Sequence, residues 1–511
     1  MRLCYVKWNG RSAEAPEQTT GNCPSVLGCS PRARGTTVSA MSSTEPPDHA
    51  APFPRGMALL VAGTFFMEIL DATIITPAIP LIATSFHVEP FDVNVAISAY
   101  LVTLAVLIPA SGWVADRFGA RPVFAAAIAI FTLASIGCAL SVSLPMLVGM
   151  RVLQGVGGAM MVPVGRLAVL RFSGKANLVR AIALLTWPAL AAPVVAPVLG
   201  GAIATVGSWR WIFFVNIPIG IVGFLLSLKL IRGDADPSPR PLDWRGLVTL
   251  GAGSAAALIA LESIRVTGTH WAMVAVGSAA AVLLLTVATW HLLRSRHPLV
   301  QLQVLRVPTL RITVSAGSLY RLVITAVPFL LPLQFQLVFG WTPFLSGLLV
   351  AMLFVGNIAI KPTTTPLMRR FGIRRVLIVN AVLSVGCYGL LACLAPSMPV
   401  AVIAVILFVS GALRSIGFTA YNSLAFSDVS GDELTHANTL NAAVQELAAG
   451  LGIAVGALAL SILTPLAAEQ GHGPGTAYAW TFLLLGALML GTVVETLRLP
   501  RDAGAKVTNR P

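Results

Sequence analysis

From Met57 to about residue 497 the chain is a succession of apolar runs, most of them about 20 residues or longer, with short polar breaks between them. A helix of that length crosses the hydrocarbon of a bilayer, and lipid leaves only helices and closed barrels as spanning structures. The runs lie near 57–80, 94–114, 122–141, 145–168, 180–204, 211–230, 246–264, 271–293, 312–336, 343–360, 376–394, 398–420, 438–464 and 477–497, which makes fourteen expected spans. The two weakest boundaries follow Gln334 and Leu424. Composition closes the alternatives. Only 11% of residues are charged and 56% are hydrophobic, against about 25% charged in a soluble domain. A surface so poor in charge faces lipid, which excludes a soluble enzyme, a secreted disulfide scaffold and a disordered chain. Six cysteines show no zinc-like spacing, and no metal site is expected.

The net charge of +14 would suggest nucleic acid in a soluble protein, but here the basic residues follow the membrane. They gather in loops 2–3, 4–5, 6–7, 8–9 and 10–11, among them Arg117, Arg121, Arg171, Lys175, Arg232, Arg294, Arg306, Lys361 and Arg374. The intervening loops hold Arg210 and Arg265 alone. By the positive-inside rule both termini are expected in the cytoplasm and no nucleic acid is implied. The first 40 residues are polar, carry no apolar run long enough for a signal peptide, and read as disordered. Met41 is an alternative start.

Arg117-Phe118-Gly119-Ala120-Arg121 recurs as Arg370-Phe371-Gly372-Ile373-Arg374, each time after an even-numbered span, and Arg151 of span 4 is echoed by Arg414 of span 12. Two six-helix bundles of like topology with spans 7 and 8 inserted between them account for both offsets. The expected division is an N-terminal segment 1–56, a bundle over 57–232, inserted helices over 233–300, a second bundle over 301–498, and a tail over 499–511. Parallel repeats of this kind build alternating access around a midplane site in secondary transporters.

The segment Ser111 to Arg121 resembles the loop 2–3 signature of the major facilitator superfamily. Leu70 to Ile75 with Ala78-Ile79-Pro80, and Trp209 to Gly220, are similar to the fourteen-span drug:proton antiporters of the EmrB/QacA type. Among these the resemblance leans to the MdtD-type multidrug exporters. Leu147 to Ala159, with Arg151, Gln154 and Gly155, resembles the span-4 motif. The antiporter motif of span 5 departs from its usual glycine pattern: its small positions are Ala192, Ala196, Gly200 and Gly201, beside Pro193 and Pro197. Alanine still allows close helix approach. The resemblance implies a proton-coupled exporter of small amphipathic molecules in the inner membrane of a bacterium, driven by the proton gradient without a bound cofactor. Its implied partners are substrate, protons and lipid. A periplasmic adaptor and an outer-membrane channel are not readable from the residues.

Ionisable groups within spans are costly and mark function. They are Glu68 and Asp71 in span 1, Arg151 and Arg166 in span 4, Glu262 in span 7, Arg321 in span 9, Arg414 in span 12 and Glu446 in span 13. Glu68 and Asp71 share a helix face. Two carboxylates that close compete for one proton, which makes them, with Arg151 and Glu446, the proton-coupling candidates. The alternative for this pair is that one carboxylate simply pairs with Arg151. Gly112 and Gly119 are expected to turn the loop that holds Asp116, Arg117 and Arg121, a candidate gate. Gln154, Arg321, Gln334, Gln336 and Arg414 are substrate-path candidates, with span 9 expected to be broken by Pro328 and Pro332. Phe65, Phe66, Trp187, Tyr320 and Phe329 read as packing first and cavity lining second. Seven histidines without ligand spacing and the lack of a Walker-type loop argue against an enzyme or an ATP-driven pump. A channel would need symmetric charge rings. The alternatives kept open are export of an anionic metabolite, such as an organic acid or a siderophore, and a non-transporting membrane sensor or scaffold.

Overall fold

The computed structural model describes residues 55–172, 174–231, 241–263, 271–429, 433–500 and 503, and among them there is no strand. The first helices are α1 (Arg55–Ile74), α2 (Ile79–Phe86), α3 (Asn94–Phe118), α4 (Ala120–Ala139), α5 (Leu144–Phe172), α6 (Gly174–Val206), α7 (Trp211–Phe214) and α8 (Asn216–Leu230). The pair α9 (Trp244–Glu262) and α10 (Trp271–Arg294) follows. The remainder are α11 (Pro308–Ile312), α12 (Ser318–Leu333), α13 (Pro343–Ala359), α14 (Lys361–Phe371), α15 (Ile373–Ala392), α16 (Val400–Ala425), α17 (Leu434–Glu469) and α18 (Gly475–Leu497). Twelve helical units among the described residues are long and apolar enough to cross a membrane, and α13 with α14, bent by 49°, makes a thirteenth if counted as one span. Over the expected span 180–204, Leu190–Val206 of α6 forms a shorter apolar helix. The first 40 residues, the tail 504–511 and the loop residues Lys175, Arg232 and Arg265 lie outside the described residues or their described side chains.

Packing follows the small residues. Helix α1 lies against α5, α6 and α8, and α3 and α4 lie against α5. In the second half α12 packs on α17 and α18, α13 on α16, and α15 on both α16 and α18. Two seams join the halves, α6 against α13 and α3 against α17. The α9–α10 pair leans on α3 and α17 through α9. Its outer face is lined by Val276, Val282 and Leu283, all more than 60% exposed, as suits a surface that meets lipid.

Span 1 is interrupted where the sequence places Pro77 and Pro80: a 3-10 turn, Thr76–Ala78, separates α1 from α2. Proline removes a backbone donor, and the carbonyl of Thr73 accepts the Thr76 hydroxyl at 3.0 Å instead. Span 9 corrects an expectation. Helix α12 runs unbroken through Arg321, Pro328 and Pro332, and the irregularities are π-type turns on either side of it, Thr313–Gly317 and Gln334–Val338.

Asp243 ties the inserted pair together. It caps α9 by accepting the Gly246 N–H at 2.9 Å, accepts the Leu299 N–H at 3.1 Å, and meets His291 Nε2 of α10 at 2.6 Å. Burial pushes its carboxyl up, but the Gly246, His291 and Leu299 donors outweigh this and hold it below the ordinary carboxylate value. A depressed carboxyl stabilises the fold above its unfolded pKa of about 3.9, and that stability is lost as pH falls through the folded value. Asp243→Ala is therefore expected to cost about 1 kcal/mol, the usual worth of a cap. Thermal unfolding in detergent should show the loss at pH 7, and the gap to the unmodified protein should close below about pH 4.

Candidate functional site

A fully buried polar network sits inside the first half. Arg151 Nη1 donates to Asp71 Oδ2 at 2.5 Å and to Gln154 Oε1 at 2.8 Å. Gln154 Nε2 donates to Asp71 Oδ1 at 2.9 Å and to Ser135 Oγ at 2.8 Å, and Asn216 Nδ2 reaches Asp71 Oδ1 at 2.6 Å. Helices α1, α5 and α8 thus meet on one carboxylate, and Ser135 of α4 accepts from Gln154 and Asn216 behind it. Arg151, Asp71, Gln154, Ser135 and Asn216 are each 0% exposed. The Arg151 guanidinium lies 4.4 Å from the centre of the Tyr100 ring, so its apolar face is also covered. A buried ion pair survives only when hydrogen bonds satisfy the remaining lone pairs, and Asp71 accepts three, from Arg151, Gln154 and Asn216. The alternative in which one carboxylate pairs with Arg151 is the arrangement found. Asp71 remains within electrostatic reach of Glu68 on the shared helix face.

Glu68, three residues earlier, goes elsewhere. It is 9% exposed, and its Oε2 is buried with no hydrogen-bond partner. A side chain at Gly158 of α5 would touch both Glu68 Oε1 and the Tyr100 hydroxyl, so the absence of one there leaves these two groups room. The Tyr100 hydroxyl is also buried without a partner. Across the α3–α17 seam, Glu446 lies within electrostatic reach of Glu68. Glu446 is 3.9 Å from Arg321 of α12, and both are partly open, at 28% and 20%. Arg321 stacks over Phe418 at 5.0 Å, and Arg414 of α16 lies within electrostatic reach of it. Glu68, Glu446, Arg321 and Arg414 thus form a row of charges that crosses from one half to the other. Tyr100 links the row to the buried network, its ring under Arg151 and its hydroxyl beside Glu68.

At the other seam the backbones nearly touch. Pro197 and Gly200 are buried in α6, Gly201 is beside them, and Ala192 and Ala196 are 0% exposed. A Cβ at Gly347 of α13 would collide with the Pro197 carbonyl, and one at Gly201 with the Pro343 carbonyl. Nearby, Thr205 Oγ1 accepts the Phe344 N–H at 3.1 Å, and Gln336 Nε2 donates to the Pro77 carbonyl at 2.9 Å. The two halves are therefore closed against each other where α6 ends and α13 begins. Gly347→Val should hold this seam open. A disulfide between cysteines placed at Thr205 and Phe344 should form readily in the parent and at least about fivefold more slowly in the variant.

The sequence matches the Major Facilitator Superfamily over residues 61–453. The chain belongs to that superfamily. A protein named for multidrug resistance, MdtD of Cronobacter sakazakii, is 34% identical over 458 residues, covering 88% of this chain and 95% of its own. The MdtD protein of Pectobacterium atrosepticum is likewise 34% identical, over 88% of this chain and 96% of that one. Among solved structures, an auto-inhibited POT family peptide transporter superposes with a TM-score of 0.65 at 15% identity, over 87% of this chain and 97% of that one, a likeness of fold. The protein is a multi-pass membrane transporter of the major facilitator fold, not an enzyme.

The superfamily loop signature has its counterpart in the backbone of both halves. Gly119 and Gly372 take φ of 86° and 82°, and each donates its N–H to the carbonyl four residues back at 2.9 Å. Only glycine adopts that backbone without strain. Gly112 corrects an expectation: it lies inside α3, in open space, and turns nothing. Arg117 and Arg121 are exposed at the helix ends, and Asp116 is half-buried.

The echo of Arg151 in Arg414 is not a structural equivalence. Arg151 lies seven residues into α5, whereas Arg414 lies fourteen into α16. The crossing glycines give the true match: Gly155 abuts Tyr100 and Thr103 of α3, and Gly411 abuts Leu353 of α13. Gln334 is 1% exposed and Gln336 is engaged at the seam, while Arg166 is exposed. Phe329 is a buried packing residue, Tyr320 is buried and lines a small cavity, and the side chains of Trp187 and Glu262 lie outside the described residues. Sequence reading missed Ser135, Asn216 and Tyr100 as members of the site. An asparagine in an apolar helix was the available signal, because in lipid it has to find a partner.

Proposed function

We propose that this transporter is a proton-driven exporter of small amphipathic molecules across the cytoplasmic membrane of a bacterium, with both termini inside. One observation carries the reading. Glu68 is a buried carboxyl without a cationic partner among the described residues, and a second carboxyl, Glu446 of the other half, lies within its electrostatic reach. A charge held there is costly, and it can be neutralised either by a proton or by the positive end of a substrate. Mutual exclusion of the two at one carboxyl is what antiport requires. The multidrug-resistance names of the MdtD relatives support drug-like cargo. The basic loops support the orientation.

In this reading the closed α6–α13 seam faces outward. Asp71, locked to Arg151, holds the first half together, while Tyr100 passes the state of Glu68 to that lock. The test is uptake of a panel of dyes, drugs and carboxylates into everted vesicles with and without an imposed proton gradient. Gradient-driven uptake of at least one panel member, abolished by an uncoupler, is expected. Uptake that ignores the uncoupler contradicts proton coupling.

A further inference from the structure

Among the described side chains, the guanidinium groups of Arg151, Arg166, Arg321 and Arg414 fall within spans, and three of them are accounted for. Arg151 has Asp71, Arg321 has Glu446, and Arg166 is exposed. Arg414 is the exception. One of its donors goes to the Ile324 carbonyl at 3.3 Å, and its guanidinium lies 5.3 Å from the Phe354 ring centre. The charged and titratable groups within its electrostatic reach are Arg321, Tyr320 and Tyr388, with no carboxylate among the described residues. A like charge beside it, from Arg321, makes the want of a counter-charge worse.

Arg414 also borders a small cavity, lined besides by Tyr320, Tyr388, Ser384 and Ser410 and walled by Ile324 and Leu353. The Tyr320, Tyr388 and Ser384 hydroxyls already donate to the carbonyls of Leu413, Val323 and Asn380. They therefore offer oxygen lone pairs, not protons, to a guest. The remaining guanidinium N–H groups are the charged donors of the cavity, beside the Ser410 hydroxyl, in a planar fork that suits a carboxylate. Arg414 is half-buried, and a cation so placed persists where a ligand brings the missing charge.

We propose that Arg414 is the carboxylate subsite of the transported molecule, and that the cargo is zwitterionic. This rests on the export reading above. To displace a proton from Glu68 the substrate has to bring positive charge to the Glu68–Glu446 end of the row, and to satisfy Arg414 it has to bring negative charge to the other. A molecule with an ammonium at one end, a carboxylate at the other and an apolar body between them meets both demands. A plain lipophilic cation leaves Arg414 unpaired, and a plain anion cannot compete with a proton.

The experiment is ligand-induced thermal stabilisation of the full-length protein in uncharged detergent, without any gradient. The probes are 1-naphthylalanine, its N-acetyl derivative and its amide, at matched ionic strength. The acid and the N-acetyl acid are expected to raise the unfolding temperature. Arg414→Gln should weaken the apparent affinity for both by about tenfold or more, and leave the response to the amide as it was. Should Arg414→Gln fold poorly, Arg414→Lys keeps the charge without the fork and should show the same selective loss. Equal stabilisation by acid and amide, no stabilisation by either acid, or acid affinity unchanged in both variants would overturn the proposal. So would stabilisation by phosphatidylglycerol that depends on Arg414 while the acids have no effect, since Arg414 would then serve a lipid headgroup. Binding read without a gradient stands or falls separately from proton coupling, which the vesicle assay reads.

Discussion

Asp71→Asn is expected to cost the transporter about 3–5 kcal/mol of stability, the price of breaking a buried ion pair from one side. Arg151 would keep its charge at 0% exposure with its carboxylate gone. Asn216 and Gln154 would each lose an anionic acceptor, at 2.6 Å and 2.9 Å in the present structure. Asparagine keeps the size and one carbonyl oxygen, so the loss is of charge and not of packing. Thermal unfolding in detergent should register a large drop. The double change Asp71→Asn with Arg151→Met should recover part of it, because removing both charges also removes their desolvation. An unfolding temperature equal to that of the parent would show that the pair is not ionised.

Glu68→Gln is expected to do the reverse, sparing stability and removing coupled transport. Glutamine matches a protonated glutamic acid in shape but cannot release a proton. No hydrogen bond to Glu68 Oε2 exists to be lost, and a buried charge is taken away. Gradient-driven accumulation should fall to the level of empty vesicles. Exchange of labelled for unlabelled substrate, which needs no net proton movement, should continue. Loss of both activities with a lowered unfolding temperature would instead make Glu68 a structural residue. Glu446→Gln should be milder in coupling and should free Arg321, its neighbour at 3.9 Å.

Much of the fold was legible because lipid allows so few solutions. The apolar runs gave the helices to within a few residues, and the weak boundary after Gln334 marks a π-type turn, Gln334–Val338. The Arg-Phe-Gly repeat was readable because both glycines are forced into the same positive φ. Depth within the membrane was not readable from motif spacing, so Arg151 and Arg414 looked equivalent when they lie about two helical turns apart along matching helices. The fate of Glu68 and Asp71 was equally hidden. Three residues of helix separate them, but side chains of α5 and α8 bond to one while Glu446 of α17 comes within electrostatic reach of the other, and that depends on partners far away in sequence. Span 9 misled because proline often breaks a helix, whereas α12 carries two of them without a break.

Proton release on substrate binding tests the central claim most directly. Purified transporter in weakly buffered detergent solution is mixed with the best-transported member of the vesicle panel, and the pH change is followed with an indicator dye. The account predicts release of about one proton per bound ligand from the parent and none from Glu68→Gln, with ligand binding retained in both. Release that is unchanged in Glu68→Gln, or absent from the parent although ligand binds, would contradict it.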